Sequence, residues 1–589
     1  MIHYRVDARD THAHLFQVKL TIQKPAAQQR LSLPVWIPGS YMIREFSRHL
    51  SNLEARQGAK ALAVTQVDKA SWDVACEGRG ALTVTYSVYA FDTSVRTAFL
   101  SAQRGFFNGT SLFLQVQGHS AEPHQIQITD LPAPWEVATA LTPVKVDRRG
   151  RGVYQAADYD ELIDHPVELG TFWRGEFSAH GIAHEMVVSG ALPDFDKDRL
   201  LADAQRICET EIAFWHTNKR APFDRYVFLL NAIEDGFGGL EHRNSTALIC
   251  GRRDLPQRGR SDISEGYLTL LGLISHEYFH TWNVKRLRPS DFNNYQLQQE
   301  NYTELLWFFE GFTAYFDDLF LVRCGLIDEG RYLKLLSKNL GGVLSTPGRH
   351  VQSVARSSFD AWVKYYRSDE NTPNITVSYY TKGALVALAL DLTLRANGKG
   401  TLDEVMRALW LRSGGGPISQ ADIWQAVDDI AGLHLSPTLS HWVHGTDDFP
   451  WPELLNPFGL TWQATTPTIA QRWGLKVSES ALTGIKVSQV LRGGLGEKIG
   501  LSAGDEVIGL NQWRVRRLDE APRFMVPDKP CPLLVCRDQA LLTLTLPAGA
   551  ATVAAPGEGD LAPQGNLVHQ PTAQAARHAS TLRKAWLSR

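Results

Sequence analysis

A multidomain α+β fold is predicted for this chain, from two changes of hydrophobic period and one change of composition along its 589 residues. Residues 1–170 alternate with period 2, residues 171–455 repeat mainly with the period of a helix, and residues 456–548 return to β-rich patterning. In the first region Phe16, Val18, Leu20 and Ile22 alternate with Gln17, Lys19 and Thr21, and Leu82, Val84, Tyr86 and Val88 with Thr83, Thr85 and Ser87. That alternation turns one apolar face to a core and one polar face to solvent. With turn signals at Pro38-Gly39-Ser40 and Asn108-Gly109-Thr110, it predicts a β-sandwich-like N-terminal domain.

In the second region Leu268, Leu271 and Ile274, then Leu305, Trp307, Phe308, Phe312 and Phe316, fit helical faces, and further helices are expected over 384–395 and 402–411. Gly398 and Gly414-Gly415-Gly416 mark stops or loops between them, and some strand character is expected near 226–230. After the β-rich unit, residues 549–589 are expected as a flexible tail, because their Ala, Pro, Gly and Gln bury little apolar surface. Within it a short basic helix carrying Leu582 and Trp586 is expected over 573–589, docking on the body rather than on a membrane.

Composition excludes several classes of function. The 60 Lys+Arg and 63 Asp+Glu leave a net charge of −3, so no chain-wide polyanion surface and no nucleic-acid partner are expected. No run approaches ~18 apolar residues, so no helical membrane span is expected. Residues 1–7 hold no apolar stretch of the kind a secretory leader needs. Cys76, Cys208, Cys250, Cys324, Cys531 and Cys536 form no C-x-x-C pair; they read as free thiols in a reducing, cytoplasmic setting.

The sharpest chemical signal is His276-Glu277-Tyr278-Phe279-His280. On a helix, positions i and i+4 share a face, so both imidazoles reach one metal ion and Glu277 sits beside its water. Zinc suits the pair, since imidazole is a preferred ligand and a bound water is acidified towards neutrality. Among 19 histidines, roughly 0.03 such matches arise by chance. A third ligand is needed, and Glu300, Glu304 and Glu310 are the local candidates. Glu300 lies near a polar, loop-like run, whereas Glu310 stands between Trp307-Phe308-Phe309 and Gly311-Phe312-Thr313-Ala314-Tyr315. A carboxylate is costly there unless paired or metal-bound, which favours Glu310. Glu241, in Gly238-Gly239-Leu240-Glu241-His242, reads equally as a surface carboxylate after a Gly-rich turn and as a receptor for a substrate ammonium. Tyr380, in Tyr379-Tyr380-Thr381-Lys382-Gly383, reads first as a buried phenol with a satisfied hydroxyl and second as an oxyanion donor. There is no G-x-S-x-G elbow and no Walker loop.

The run His276-Glu277-Tyr278-Phe279-His280-Thr281-Trp282-Asn283-Val284-Lys285-Arg286, with Trp307-Phe308-Phe309-Glu310-Gly311-Phe312-Thr313, resembles the glycyl aminopeptidase family of gluzincin zinc metallopeptidases. Trp36-Ile37-Pro38-Gly39-Ser40-Tyr41 and Asp369-Glu370-Asn371-Thr372-Pro373-Asn374 are similar to it as well. The resemblance implies a thermolysin-like catalytic domain over 171–455 and one zinc ion per chain on His276, His280 and Glu310, with Glu277 as general base. More distantly, gluzincin aminopeptidases carry a G-A-M-E-N motif that binds the free amine and a Y-x-K-G tyrosine that supports the oxyanion. The first is matched imperfectly: Gly238 and Glu241 agree with it, while Gly239, Leu240 and His242 replace Ala, Met and Asn; the second is matched intact by Tyr380. The 456–548 unit resembles a PDZ domain, through Gly500-Leu501-Ser502-Ala503-Gly504-Asp505-Glu506-Val507-Ile508, and Trp473-Gly474-Leu475 is expected as its loop for peptide C-termini. The function implied is release of small N-terminal residues, such as Gly or Ala, from peptide substrates. The rivals are a zinc endopeptidase or oligopeptidase recruiting substrates through the PDZ unit, and a non-catalytic PDZ scaffold.

Overall fold

The computed structural model of the chain describes residues 2–551, 562–570 and 576–588. Its backbone contacts group into two compact units. One holds Met1–Thr303, Phe316–Leu326 and Val405–Ile423; the other holds Glu304–Tyr315, Ile327–Glu404 and Trp424–Arg589.

The first unit opens with the predicted β region. An eight-stranded sheet runs in the order Thr142–Val146, Gly152–Ala156, His124–Asp130, Ile2–Asp10, Leu15–Ile22, Leu82–Tyr89, Leu50–Gln57 and Lys60–Leu62, and two four-stranded sheets accompany it. Phe16, Val18, Leu20 and Ile22 are buried, as are Leu82, Val84, Tyr86 and Val88, which is the face the alternation predicts. Buried phenols need partners. Tyr4, Tyr86 and Tyr159 donate to the carbonyls of Leu114, Leu112 and Phe113 at 2.6, 2.7 and 2.7 Å, tying their elements to one stretch of chain.

The same unit continues into a five-stranded mixed sheet, ordered Trp173–Ala179, Ile182–Ser189, Arg225–Ile233, Ser245–Gly251 and Gly238–Glu241. The sequence pattern pointed to a single strand here. The difference has a physical cause: Arg225–Ile233 and Ser245–Gly251 lie inside the sheet and are buried on both faces, so they read as continuous apolar runs rather than alternations. Gly238–Glu241 is an edge strand, paired on one side only, with Ser245–Gly251. The helix Glu265–Phe279 packs on both of these strands and against the helix Lys197–Trp215.

The second unit holds the helices Glu329–Leu344, Thr381–Ala396 and Ser436–His444, then a sheet of Leu475–Ser480, Gly484–Val490, Glu506–Leu510, Cys531–Arg537 and Ala540–Leu546, with Trp513–Arg514 paired to Glu506–Leu510. Its core gathers Trp473, Leu475, Ile485, Val487, Val507, Leu533 and Val535. The strand Leu460–Ala464 stays outside this sheet and pairs antiparallel with Gly565–His569. Part of the segment expected as a flexible tail is therefore ordered, because pairing satisfies its backbone where composition offers few apolar side chains. Leu567 N also donates to Ser337 Oγ at 2.8 Å. The terminal helix Ala576–Leu587 docks as expected: Trp586 is fully buried, its Nε1 donates to Tyr315 Oη at 2.8 Å, and Arg583 pairs with Glu329 at 2.7 Å. The remaining tail positions, 552–561, 571–575 and 589, lie outside the described residues. Among the described residues no helix is long and apolar enough to cross a membrane, and the six cysteines are all free.

Candidate active site

The helix Glu265–Phe279 starts on Ser264, whose side chain accepts from Tyr267 N, and it is buried for most of its circumference. His276 lies in its last turn and His280 at its C-cap. One helical turn brings the imidazole centroids to 4.6 Å and Nε2 to 3.0 Å from Nε2. The far side of each ring is held. His276 Nδ1 lies 2.9 Å from Asp317 Oδ2, and His280 Nδ1 lies 2.7 Å from the carbonyl of Asn283. Acceptors at Nδ1 put the ring protons there and leave both Nε2 lone pairs facing the same space. Glu310, 2% exposed, stands between Leu306–Phe309 and Gly311–Arg323. Among the described residues, His276, His280 and Glu310 form a group able to hold a metal ion, with one ligand atom from each lying within 4.8 Å of the others. Two imidazoles with anchored backs and one carboxylate are the donor set of a catalytic zinc site.

Glu277 is buried in the same helix and faces the edge strand. A Cβ built on Gly239 would lie 2.0 Å from Glu277 Oε1, so the second glycine of the strand is the space that the carboxylate occupies. No left-handed backbone requires glycine there. Gly239→Ala is therefore expected to fold and to keep its metal, yet push Glu277 aside and lower kcat about 10²-fold, the order of loss that a 1 Å misplacement brings. Steady-state kinetics alongside metal analysis check this; an unchanged kcat would remove Glu277 from the strand's face.

Two residues on, Glu241 is 4% exposed, and its Oε1 finds no hydrogen-bond partner among the described residues. Gly39, at φ +93°, presses on the same carboxylate: a Cβ there would meet both Glu241 oxygens at 2.6 Å. This explains the glycine of Trp36-Ile37-Pro38-Gly39-Ser40-Tyr41, whose Trp36 Nε1 is tied to Gln296 O at 2.8 Å. A cavity of about 50 Å³ lies on the carboxylate, lined among others by Trp36, Gly39, Tyr41, Phe292 and Tyr295. Just past the strand, Asp164 accepts from Lys285 Nζ at 2.7 Å and from the backbone N–H of Arg243 at 3.1 Å, with His242 Nδ1 at 3.4 Å. Burial alone would raise the Asp164 carboxyl, but Lys285, His242 and Arg243 hold it well below the usual range. It stays ionised and pins the end of the edge strand to the segment following the helix Glu265–Phe279.

Tyr380 caps the helix Thr381–Ala396 and packs in a cluster of three rings, with ring centroids 4.8 Å from Tyr379 and 5.5 Å from Tyr365. Burial first, then the charge of Glu310, pushes its phenol well above the ordinary value, so the hydroxyl keeps its proton. The glycine that follows has a packing reason. A Cβ on Gly311 would lie 2.5 Å from Gly383 Cα, and one on Gly383 would lie 2.6 Å from Trp307 O. The backbones beside Glu310 and Tyr380 thus touch directly. Lys382 is buried, with Nζ donating to Arg349 O at 3.3 Å and its pKa lowered to about 8 by burial, and serves the scaffold rather than the chemistry.

Two expectations need correction or addition. Trp473, Gly474 and Leu475 do not form an open carboxylate loop. Trp473 is fully buried with Nε1 on Ala550 O at 2.9 Å, the N–H groups of Trp473 and Gly474 are taken by Ile469 and Gln471, and Leu475 opens a paired strand. Gly474 abuts Gly494 backbone to backbone, so the glycine serves packing. The anchors of the histidines were not foreseen: Asp317 lies seven residues after Glu310, two helical turns on, and that spacing is a usable signal. Arg96 and Asp164, from the N-terminal β region, carried no local signal because only the fold brings them to the edge strand.

Family models match the chain in three places: Peptidase M61 N-terminal domain at residues 3–171, M61 glycyl aminopeptidase at 269–386, and PDZ domain at 462–526. The chain is similar to the crystal structure of an aminopeptidase N family protein from Idiomarina loihiensis, with 38% identity, 100% of both chains covered and a TM-score of 0.92. It is more loosely similar to an M1 zinc metallopeptidase from Deinococcus radiodurans, with 16% identity, 77% of this chain and 94% of that one covered, and a TM-score of 0.48. Aminopeptidase A of Legionella pneumophila, solved with aspartic acid, shares 13% identity over 75% of this chain and 49% of that one, with a TM-score of 0.48. Similarity as loose as these last two carries no property across. No curated protein matches the chain.

Proposed function

The chain belongs to the M61 glycyl aminopeptidase family and is a metallopeptidase, and we propose that it removes amino-terminal residues, small ones such as Gly or Ala, from peptides, using one zinc ion per chain. The observation that carries the exopeptidase reading is the Glu241 carboxylate: nearly enclosed, with an unpartnered Oε1, beside a cavity of about 50 Å³. A buried carboxylate oxygen without a donor is costly, and a substrate ammonium supplies the missing donor and charge.

His276, His280 and Glu310 would hold the zinc, which supplies Lewis acidity towards the scissile carbonyl and the attacking water. Glu277 takes the proton of that water and returns it to the departing amine. The Tyr380 hydroxyl, kept protonated by its burial, donates to the developing oxyanion. Glu241 fixes the substrate's first residue and so sets the cut one residue from the chain end. Within this reading residues 171–455 carry the chemistry and 456–548 form the PDZ region. Binding of peptide C-termini there rests on the family-model match alone. A cytoplasmic location is consistent with the six free thiols.

Metal analysis with a paired assay tests the proposal. One zinc per chain is expected, with hydrolysis of a free glycyl dipeptide and none of its N-acetyl form. Equal cleavage of both would favour an endopeptidase, and absence of metal and turnover would favour the scaffold.

A further inference from the structure

The edge strand Gly238–Glu241 has one more polar neighbour that the proposed chemistry does not use. Arg96 reaches it from the β region, with Nη2 donating to the carbonyl of Gly239 at 3.3 Å and Nη1 3.8 Å from where a Cβ of Gly238 would stand. Its Nε is buried without a hydrogen-bond partner, and among the described residues the guanidinium makes no ion pair. A part-buried guanidinium whose only partner is one neutral carbonyl lacks the anion that usually accompanies it.

Its place along the strand says what that anion is. Glu241, Glu277 and Arg96 are met in order along the strand. Glu241 holds the amine, the Glu277 carboxylate fills the space over Gly239, and Arg96 caps Gly239 and flanks Gly238. Strand residues advance about 3.3 Å each, so Arg96 stands about 7–10 Å from Glu241 along the strand. A peptide laid alongside extends by about 3.3–3.6 Å per residue, so a dipeptide anchored at Glu241 ends near Gly239 and a tripeptide near Gly238. We propose that Arg96 binds the free C-terminal carboxylate of di- and tripeptides, making short peptides with both termini free the substrate class of this site. The proposal rests on the exopeptidase reading of Glu241. It adds a second end to the measurement: the amine at one side, the carboxylate at the other. Arg96 also closes the edge, since its guanidinium occupies the Gly239 carbonyl that a longer peptide would use for strand addition.

The test uses the zinc-loaded full chain with glycyl-leucine and glycyl-leucinamide, which differ only in the terminal charge. The free acid is expected to be hydrolysed with kcat/KM about 10- to 100-fold above the amide, the order of one charge-assisted contact. Arg96→Gln should erase that gap by lowering the acid alone, and Arg96→Lys should restore part of it. A purely structural Arg96 would lower both substrates together, and that result, or a wild type indifferent to the terminal charge, overturns the proposal. Equilibrium titration of both peptides into the Glu277→Gln variant separates the two readings. Tighter binding of the acid, lost with Arg96→Gln, supports the carboxylate site even if the wild type hydrolyses neither peptide, an outcome that would sink only the hydrolytic reading.

Discussion

Replacing Glu277 by Gln is expected to lower kcat by about 10²- to 10⁴-fold, with zinc content and unfolding midpoint unchanged. The amide has the shape of the carboxylate, so it fits the space over Gly239 and leaves packing against the edge strand intact. What it loses is the ability to accept a proton from water and return it to the leaving amine. The histidines keep their anchors, Asp317 and the Asn283 carbonyl, neither of which involves Glu277. A purified variant that retains one zinc per chain and loses turnover isolates the proton-transfer role. A variant with wild-type kcat would mean that the base is another group.

The parts of the site legible in the sequence were those whose geometry is local. The two histidines lie one helical turn apart, so their convergence follows from helix periodicity alone. Glu310 was legible through cost: a carboxylate among Trp307, Phe308, Phe309 and Phe312 needs a charged partner, and all four neighbours prove fully buried. Tyr380 and Glu241 needed the family resemblance, because a buried phenol and a carboxylate after two glycines have ordinary structural readings. The five-stranded sheet was hidden for the opposite reason, since strands buried on both faces lose the period that identifies them. The supposed peptide loop at Trp473 misled because Gly474 there serves close packing on Gly494, a role a sequence does not distinguish from a backbone cradle. Arg96, Asp164 and Gly39 sit far along the chain from the strand they serve, as Arg96 lies 143 positions from Gly239 and Asp164 lies 78 from His242, just past the strand. Such long-range placement leaves no trace in period or spacing.

Tyr380→Phe is expected to lower kcat by about 10²- to 10³-fold, the loss that follows removal of one oxyanion donor, without loss of zinc. The substitution deletes one oxygen and leaves the ring, so the stack with Tyr365 and Tyr379 that orients it persists. The backbone contact between Gly311 and Gly383 also persists, so the neighbouring Glu310, the proposed third ligand, is not displaced. The sign of the electrostatics matters here. Burial and the charge of Glu310 both disfavour the phenolate, so over the neutral range the residue is a donor and not a base. The variant should therefore lose rate by the same factor at pH 6 and pH 8, and its KM should change little if the hydroxyl bonds only where negative charge develops. A loss confined to KM would assign Tyr380 to ground-state binding. A near-normal kcat would return it to the packing role that its neighbours Tyr365 and Tyr379 play, and zinc with Glu277 would have to account for the oxyanion without it.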